Sequence, residues 1–289
     1  MAETKQLTID IFRQKKAAGE KITMLTAYDF TGAQMVDAAM VDGILVGDSL
    51  GMVMLGYDST VPVTMAEMLH HTRAVARGTR RALVVADMPF LSYQVNADEA
   101  LRNAGRFLQE AGAAAVKLEG GREIAPTISR LVAAGIPVMG HLGLTPQSVH
   151  QFGGFKLQAD KASAAGKLLE DASALAEAGA FAVVLEKIPW EVAAAVTARV
   201  SIPTIGIGSG PECDGQILVF HDMLGIFEAF RPKFVKQYAA VGATIREAVG
   251  RYVEEVRQGT FPGEEHAWRM DPSELALFRA AAAREGAVG

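Results

Sequence analysis

The 289-residue chain is 50% hydrophobic, enough apolar material for one large core or two modest ones. It carries 28 Lys and Arg against 33 Asp and Glu, a formal charge of -5, which argues against a nucleic-acid or anionic-membrane binder and for small molecules or other subunits as partners. The single cysteine, Cys213, excludes an internal disulfide and an all-cysteine metal site; no apolar run approaches the roughly 18 residues of a spanning helix and no signal-peptide pattern opens the chain, so the expected location is cytoplasmic.

Thr8 to Ala18 reads as an amphipathic helix stopped by Gly19, a lid across a barrel floor. Ile22 to Asp29 is a first strand, and Thr31 to Met40 a helix leading back to a strand at Gly43 to Ser49. Strand and helix then keep alternating. Helices are expected at Thr64 to Arg77, Ala97 to Ala111, Arg122 to Ala133, Ala162 to Ala178 and Pro189 to Arg199, the last opened by its proline. Between them lie strands at Leu83 to Asp87, Ala114 to Glu119, Ile136 to His141 and Phe181 to Glu186. Ile202 to Gly208 is a seventh strand, and Gln216 to His221 a short eighth.

Eight strands separated by helices predict an α/β fold of the (β/α)8 TIM-barrel type. Their runs are apolar rather than strictly alternating, as parallel strands covered by helices should be. The weak eighth strand keeps a doubly wound open sheet as the alternative. One barrel domain is expected over residues 1–289, with 223–289 as a helical C-terminal extension. There, Phe234 to Gln258 places Val235, Tyr238, Val241, Ile245, Val249, Tyr252 and Val256 at helical spacing, a stripe that should pack on something. After Phe261-Pro262-Gly263 the chain turns acidic and then alanine-rich, a short helix or a loose tail.

The chemistry gathers at strand ends. Ile44-Leu45-Val46-Gly47-Asp48-Ser49-Leu50-Gly51 runs an apolar strand into a carboxylate, and alternation puts Ile44, Val46 and Asp48 on one face. Leu83 to Asp87, Ala115 to Glu119 and Ala182 to Glu186 repeat the arrangement. In a barrel, strand C-terminal ends form the active mouth, so Asp48, Asp87, Glu119, His141 and Glu186 would converge there. Carboxylates so gathered repel one another, and a hard cation with open positions, magnesium-like, answers both the charge and the oxygen donors. A strand-end acid can instead cap the next helix, a reading that suits aspartate better than Glu119 or Glu186.

Lys117 and Glu119 share a face, the barrel interior, because Val116 and Leu118 suit the helix side. The lysine either pairs with a neighbouring acid or also meets a substrate carboxylate or phosphate. His141, at the base of the loop through Gln147, suits hydrogen bonding better than metal ligation, since no second histidine stands at ligand spacing; His70 and His71 belong on a helix surface. Ile205-Gly206-Ile207-Gly208-Ser209-Gly210 either cradles a phosphate or lets the backbone pass close to a neighbour. No nucleophile elbow, Walker loop or zinc pattern is present.

Several runs are more specific: Met24-Leu25-Thr26-Ala27-Tyr28-Asp29, Leu45 to Gly51, His141-Leu142-Gly143-Leu144-Thr145-Pro146-Gln147-Ser148, Asp214-Gly215-Gln216-Ile217-Leu218-Val219 and Pro262-Gly263-Glu264-Glu265-His266. In them the sequence resembles the ketopantoate hydroxymethyltransferase family over nearly its whole length. The resemblance implies transfer of a hydroxymethyl group from 5,10-methylenetetrahydrofolate to 3-methyl-2-oxobutanoate through a magnesium-stabilised enolate, giving 2-dehydropantoate in the first step of pantothenate biosynthesis. It implies a Mg2+ site of Asp48, Asp87 and Glu119, substrate contacts from Asp48, Ser49, Asp87 and Lys117, and Glu186 as proton acceptor. It also implies a cytoplasmic homodecamer. The stretch after His266 runs past the family pattern. An alternative is a Mg-dependent 2-oxo acid carbon-carbon lyase of the phosphoenolpyruvate mutase type, which would use the same acids but carries a reactive cysteine motif where Cys213 stands alone. A barrel kept only for binding or assembly would leave the inward Lys117 and Glu186 without use.

Overall fold

Eight parallel strands close into a barrel in chain order: β1 (Ile22–Thr26), β2 (Gly43–Val46), β3 (Leu83–Asp87), β4 (Ala115–Glu119), β5 (Val138–Gly143), β6 (Ala182–Glu186), β7 (Thr204–Ile207) and β8 (Gly215–Leu218). The structure is a computed structural model and describes residues 6–285. Closure depends on the short β8, which pairs with both β1 and β7 and so removes the open-sheet alternative. β5 and β7 each begin just after a proline, Pro137 and Pro203, rather than before it, because proline has no N–H to give the ladder.

Before β1 lies α1 (Ile9–Ala18); α2 (Phe30–Ala38) follows β1, α3 (Leu50–Val53) and α4 (Met65–Gly78) follow β2, and α5 (Ala97–Gln109) follows β3. Next come α6 (Ala125–Ala133) after β4, α7 (Val149–Phe152) and α8 (Ala162–Glu177) after β5, α9 (Trp190–Arg199) after β6 and α10 (Phe220–Met223) after β8. Alternation then sorts the core into two shells. Leu45, Val85, Ala115, Met139, Val184 and Ile205 fill the barrel, while Val84, Val116, Leu118 and Val183 face the helices. At the floor, the fully buried Phe12 of α1 meets Phe181 edge-on at 5.6 Å. Lys15 and Lys16 tie α1 to Asp42 and Asp214 at 2.8 Å each, the expected lid.

The strand-face assignment for β2 needs correction. Ile44 and Val46 pack outward with the helices and Leu45 points inward; β2 stops at Val46. Asp48 reaches the mouth because the chain turns there, and not by continuing an alternating row.

The chain divides into two units, residues up to 239 and residues from 240. The helix expected from Phe234 begins only at Val241, as α11 (Val241–Gln258), and ends at Gly259 in the left-handed conformation. Val235 is buried within the first unit. In the second unit, Ile245, Val249, Tyr252 and Val256 of α11 are each about half exposed, and the alanine-rich tail forms α12 (Pro272–Glu285); residues 286–289 of that tail lie outside the described residues. No helix among the described residues is long and apolar enough to cross a membrane.

Candidate active site

Asp48, Asp87, Glu119 and Glu186 all line one cavity, together with Ser49, Lys117 and His141. Asp87 ends β3, Lys117 and Glu119 belong to β4, His141 to β5 and Glu186 ends β6. The outward packing of Val116 and Leu118 is what turns Lys117 and Glu119 inward. At the end of β5, Gly143 has φ +90°, and a Cβ there would stand 2.3 Å from the Glu186 carbonyl. Glycine therefore lets the β5 and β6 ends close up where His141 and Glu186 meet.

The polar groups of this floor answer one another. Lys117 Nζ lies 2.9 Å from Asp87 Oδ1, an ion pair without hydrogen-bond alignment, and 3.9 Å from Glu119 Oε1. It also lies 3.1 Å from His141 Nδ1. The same His141 nitrogen is 3.2 Å from Glu119 Oε1, and His141 Nε2 is 3.4 Å from Glu186 Oε2. The backbone N–H of Asp48 donates to Asp87 Oδ2 at 3.0 Å. The Ser49 hydroxyl pairs with the Tyr28 hydroxyl at 2.8 Å. His141 thus sits between two acids and a lysine, with its Nδ1 beside Lys117 and Glu119 and its Nε2 left without a hydrogen-bond partner among the described residues.

Gln147 is the hub that sequence reasoning missed. Its amide nitrogen donates to Asp48 Oδ2 at 2.9 Å and to the Met88 carbonyl at 3.0 Å. Its amide oxygen accepts from the Tyr93 hydroxyl at 2.8 Å, and its backbone N–H donates to Glu119 Oε2 at 3.0 Å. One buried residue therefore sets two of the four acids, Asp48 through its side chain and Glu119 through its backbone. Gln147 lies in the run from His141 to Ser148, but nothing in its spacing marks it as a polar residue turned inward. Tyr93, in the loop after β3, carries no pattern at all.

Electrostatics show what the floor lacks. Burial pushes the Asp48 carboxyl well above the usual carboxylate range, and Asp87 and Glu119 push it further. Burial also raises Asp87, although Lys117 opposes the shift. Burial works against ionising Glu119, but His141, Lys117 and the Gln147 N–H outweigh it and hold that carboxyl low. Burial likewise opposes charge on Lys117, and Asp87, Glu119 and Asp48 reverse the effect. Three acids, Asp87, Glu119 and Asp48, act on one buried ammonium, too little positive charge to keep them all ionised; a divalent cation would supply the rest.

The donors fit such an ion. Asp48 Oδ1 takes no hydrogen bond among the described residues, and Asp87 Oδ1 has no aligned donor. No three His, Cys, Asp or Glu side chains form a ready-made cluster among the described residues. Two carboxylates with positions left for water and substrate suit magnesium, which keeps several waters.

Outside the floor the lining turns apolar, with Met52, Phe155, Phe227, Phe230 and Phe234, a collar that sequence reading did not anticipate. The glycine-rich loop after β7 serves this collar. Gly208 has φ +66°, and a Cβ there would stand 2.7 Å from the Phe234 ring. Close packing, one of the two readings of that loop, is what the geometry shows. Elsewhere, His71 reaches inward from α4 to the Tyr28 carbonyl at 2.6 Å, and Cys213 is buried outside the cavity lining.

The family model described as ketopantoate hydroxymethyltransferase matches residues 6–264. The 3-methyl-2-oxobutanoate hydroxymethyltransferase of Syntrophus aciditrophicus is 61% identical over 264 residues, covering 91% of this chain and 97% of that protein. Its counterpart in Carboxydothermus hydrogenoformans is 58% identical, covering 93% of this chain and 98% of the relative. Among solved structures, a phosphonopyruvate hydrolase with oxalate and Mg++ has TM-score 0.60 at 17% identity, covering 96% of this chain and 98% of its own. A phosphoenolpyruvate phosphomutase from Streptomyces platensis subsp. rosaceus has TM-score 0.60 at 18% identity, covering 96% of each chain. These structural likenesses are likenesses of fold.

Proposed function

The chain belongs to the ketopantoate hydroxymethyltransferase family, and from that premise we propose that the barrel mouth transfers a hydroxymethyl group from 5,10-methylenetetrahydrofolate to 3-methyl-2-oxobutanoate. The product is 2-dehydropantoate, and the step opens pantothenate biosynthesis. The observation that carries the reading is the convergence of Asp48, Asp87, Glu119 and Glu186 around the buried Lys117 in one cavity.

Magnesium held by Asp48 and Asp87, with Glu119 completing the acidic surroundings, would supply Lewis acidity toward the keto and carboxylate oxygens of the 2-oxo acid. The remaining work falls to the chain. Lys117 bears on the substrate carboxylate, with Ser49 donating to it from a hydroxyl set by Tyr28. Glu186 stands on β6, across the ring from β2, and its side chain, 16% exposed against 3% for Asp87 and Glu119, is the freest of these acids. It takes the proton from C3 of the substrate, with His141 Nε2 3.4 Å behind it. The C3 carbanion equivalent, an enolate, then bonds to the one-carbon unit of the folate. Both carbon-nitrogen bonds of the bridging methylene, to N5 and to N10, break, water supplies the hydroxyl oxygen, and tetrahydrofolate leaves with the nitrogens protonated.

The same premise brings a cytoplasmic homodecamer, and the half-exposed stripe along α11 supports self-association. Deuterium exchange at C3 of 3-methyl-2-oxobutanoate, with magnesium and without folate, tests the chemistry. Wild-type protein should exchange the proton, and Glu186→Gln should bind the keto acid but exchange about 10²–10⁴-fold more slowly. Silence from the wild type would sink enolisation; equal rates in both proteins would remove Glu186 as the base.

A further inference from the structure

The apolar collar has polar side chains of its own, and most are already committed. Lys187 Nζ donates to the Phe155 carbonyl, and Thr26 Oγ1 accepts from the Phe220 N–H at 3.0 Å. Two are free. The buried Thr60 hydroxyl has no hydrogen-bond partner among the described residues. The half-buried carboxylate of Asp222 has no hydrogen-bond or ion-pair partner among the described residues. Both line the cavity.

Asp222 also stands close to the proposed chemistry. It follows His221, whose ring lies 5.4 Å from that of Tyr28, and the Tyr28 hydroxyl lies 2.8 Å from Ser49 Oγ, next to Asp48. The negative charges of both Asp222 and Asp87 act on the Tyr28 phenol. The carboxylate therefore lines the same cavity as Asp48 and Ser49 and lies near enough to Tyr28 for its charge to be felt there. Helix capping does not explain it, because α10 is four residues long and its backbone N–H groups make no bond to this carboxylate. Burial alone pushes the Asp222 carboxyl up to about 6, which leaves it ionised at neutral pH and able to accept two hydrogen bonds.

A carboxylate without a cation among the described residues, in a cavity also lined by Phe227, Phe230 and Phe234, calls for a flat heterocycle carrying two adjacent N–H donors. The aminopyrimidinone edge of a reduced pterin presents such a pair, N3–H and the 2-amino group. We propose that Asp222 accepts both of these donors from methylenetetrahydrofolate, while Phe230 and Phe234 bear on the pterin ring. The assignment rests on the folate reading above and gives it a binding residue. Phe230, 56% exposed, is free to close on the ring, and Gly208 leaves Phe234 the room it needs.

Tetrahydrofolate binding to the whole magnesium-loaded protein, measured by calorimetry, tests this directly. Asp222→Ala should weaken binding at least about tenfold, the worth of one hydrogen bond to a charged group, with an unchanged circular dichroism spectrum. A tetrahydrofolate analogue lacking the 2-amino group supplies the decisive arm. It should bind wild type at least about tenfold more weakly than tetrahydrofolate does, and Asp222→Ala should no longer distinguish the two ligands. Equal tetrahydrofolate affinity in wild type and Asp222→Ala, or full discrimination by Asp222→Ala, overturns the assignment and leaves the folate reading standing. A wild type that binds no tetrahydrofolate overturns both. Asp222→Asn, which keeps the shape and one acceptor, should fall between wild type and Asp222→Ala.

Discussion

On the floor of the cavity each polar side chain has at least one polar neighbour, with only single atoms such as Asp87 Oδ1 and His141 Nε2 left over, whereas in the collar a whole carboxylate and a hydroxyl stand without partners among the described residues. Gln147 alone joins Asp48, Glu119, Met88 and Tyr93, while the side chains of Asp222 and Thr60 join nothing among the described residues. The difference separates two tasks. The floor holds acids at fixed positions before anything binds, so that a cation and a 2-oxo acid meet a prearranged field. The collar keeps its polar groups open for a ligand that brings its own donors.

The largest effect should come from removing a floor charge. Asp87→Asn keeps an acceptor for the Asp48 N–H but loses the negative oxygen beside Lys117. Since outer partners of metal ligands are alone worth about 10–100-fold in affinity, magnesium binding by calorimetry should weaken by at least that much. An unchanged magnesium affinity would take Asp87 out of the metal site. A smaller effect should follow Gln147→Leu, which strips the hydrogen bond from Asp48 Oδ2 while sparing every acid. Magnesium affinity should fall about tenfold, and thermal unfolding should report a loss of about 1–3 kcal/mol from stranded buried partners. Wild-type magnesium affinity in Gln147→Leu would mean that the acids are placed without it.

How much of this could be read in advance follows the same division. Acids at strand ends are regular, because a parallel barrel repeats one geometry, so Asp87, Glu119 and Glu186 could be placed by counting along β3, β4 and β6. Asp48 came to the right place for the wrong reason. Its strand stops at Val46, and a turn, which strand alternation does not describe, carries it inward. Gln147 and Tyr93 act through loops whose paths depend on packing between β3, β4 and β5, so no local pattern marks them. The collar draws Phe155 from the loop after β5 and Phe234 from the chain after α10, residues 79 positions apart in number (234 minus 155). Spacing alone places Phe234 at the start of a helix instead, since the apolar spacing of α11 continues backward past its true N-terminus at Val241.

The smallest expected effect bears on the collar and has the opposite sign. Asp222 is raised from its ordinary value of 3.8 to about 6 in the folded chain, by burial without a partner. A carboxyl raised on folding adds stability below its unfolded value and loses it as pH climbs through the folded one. Wild type therefore gives up stability between about pH 4 and 6, while Asp222→Asn, with nothing to ionise, does not. The variant should melt at the same temperature as wild type near pH 3.5, and above pH 6 its Tm should be higher, by on the order of 1–2 °C once solvent screening of this part-exposed group is allowed for. A carboxylate serving the fold would behave the other way, and a lower Tm for Asp222→Asn at neutral pH would give Asp222 a structural partner. Greater stability together with weaker tetrahydrofolate binding is the pattern of a group that is costly to fold and held for its ligand.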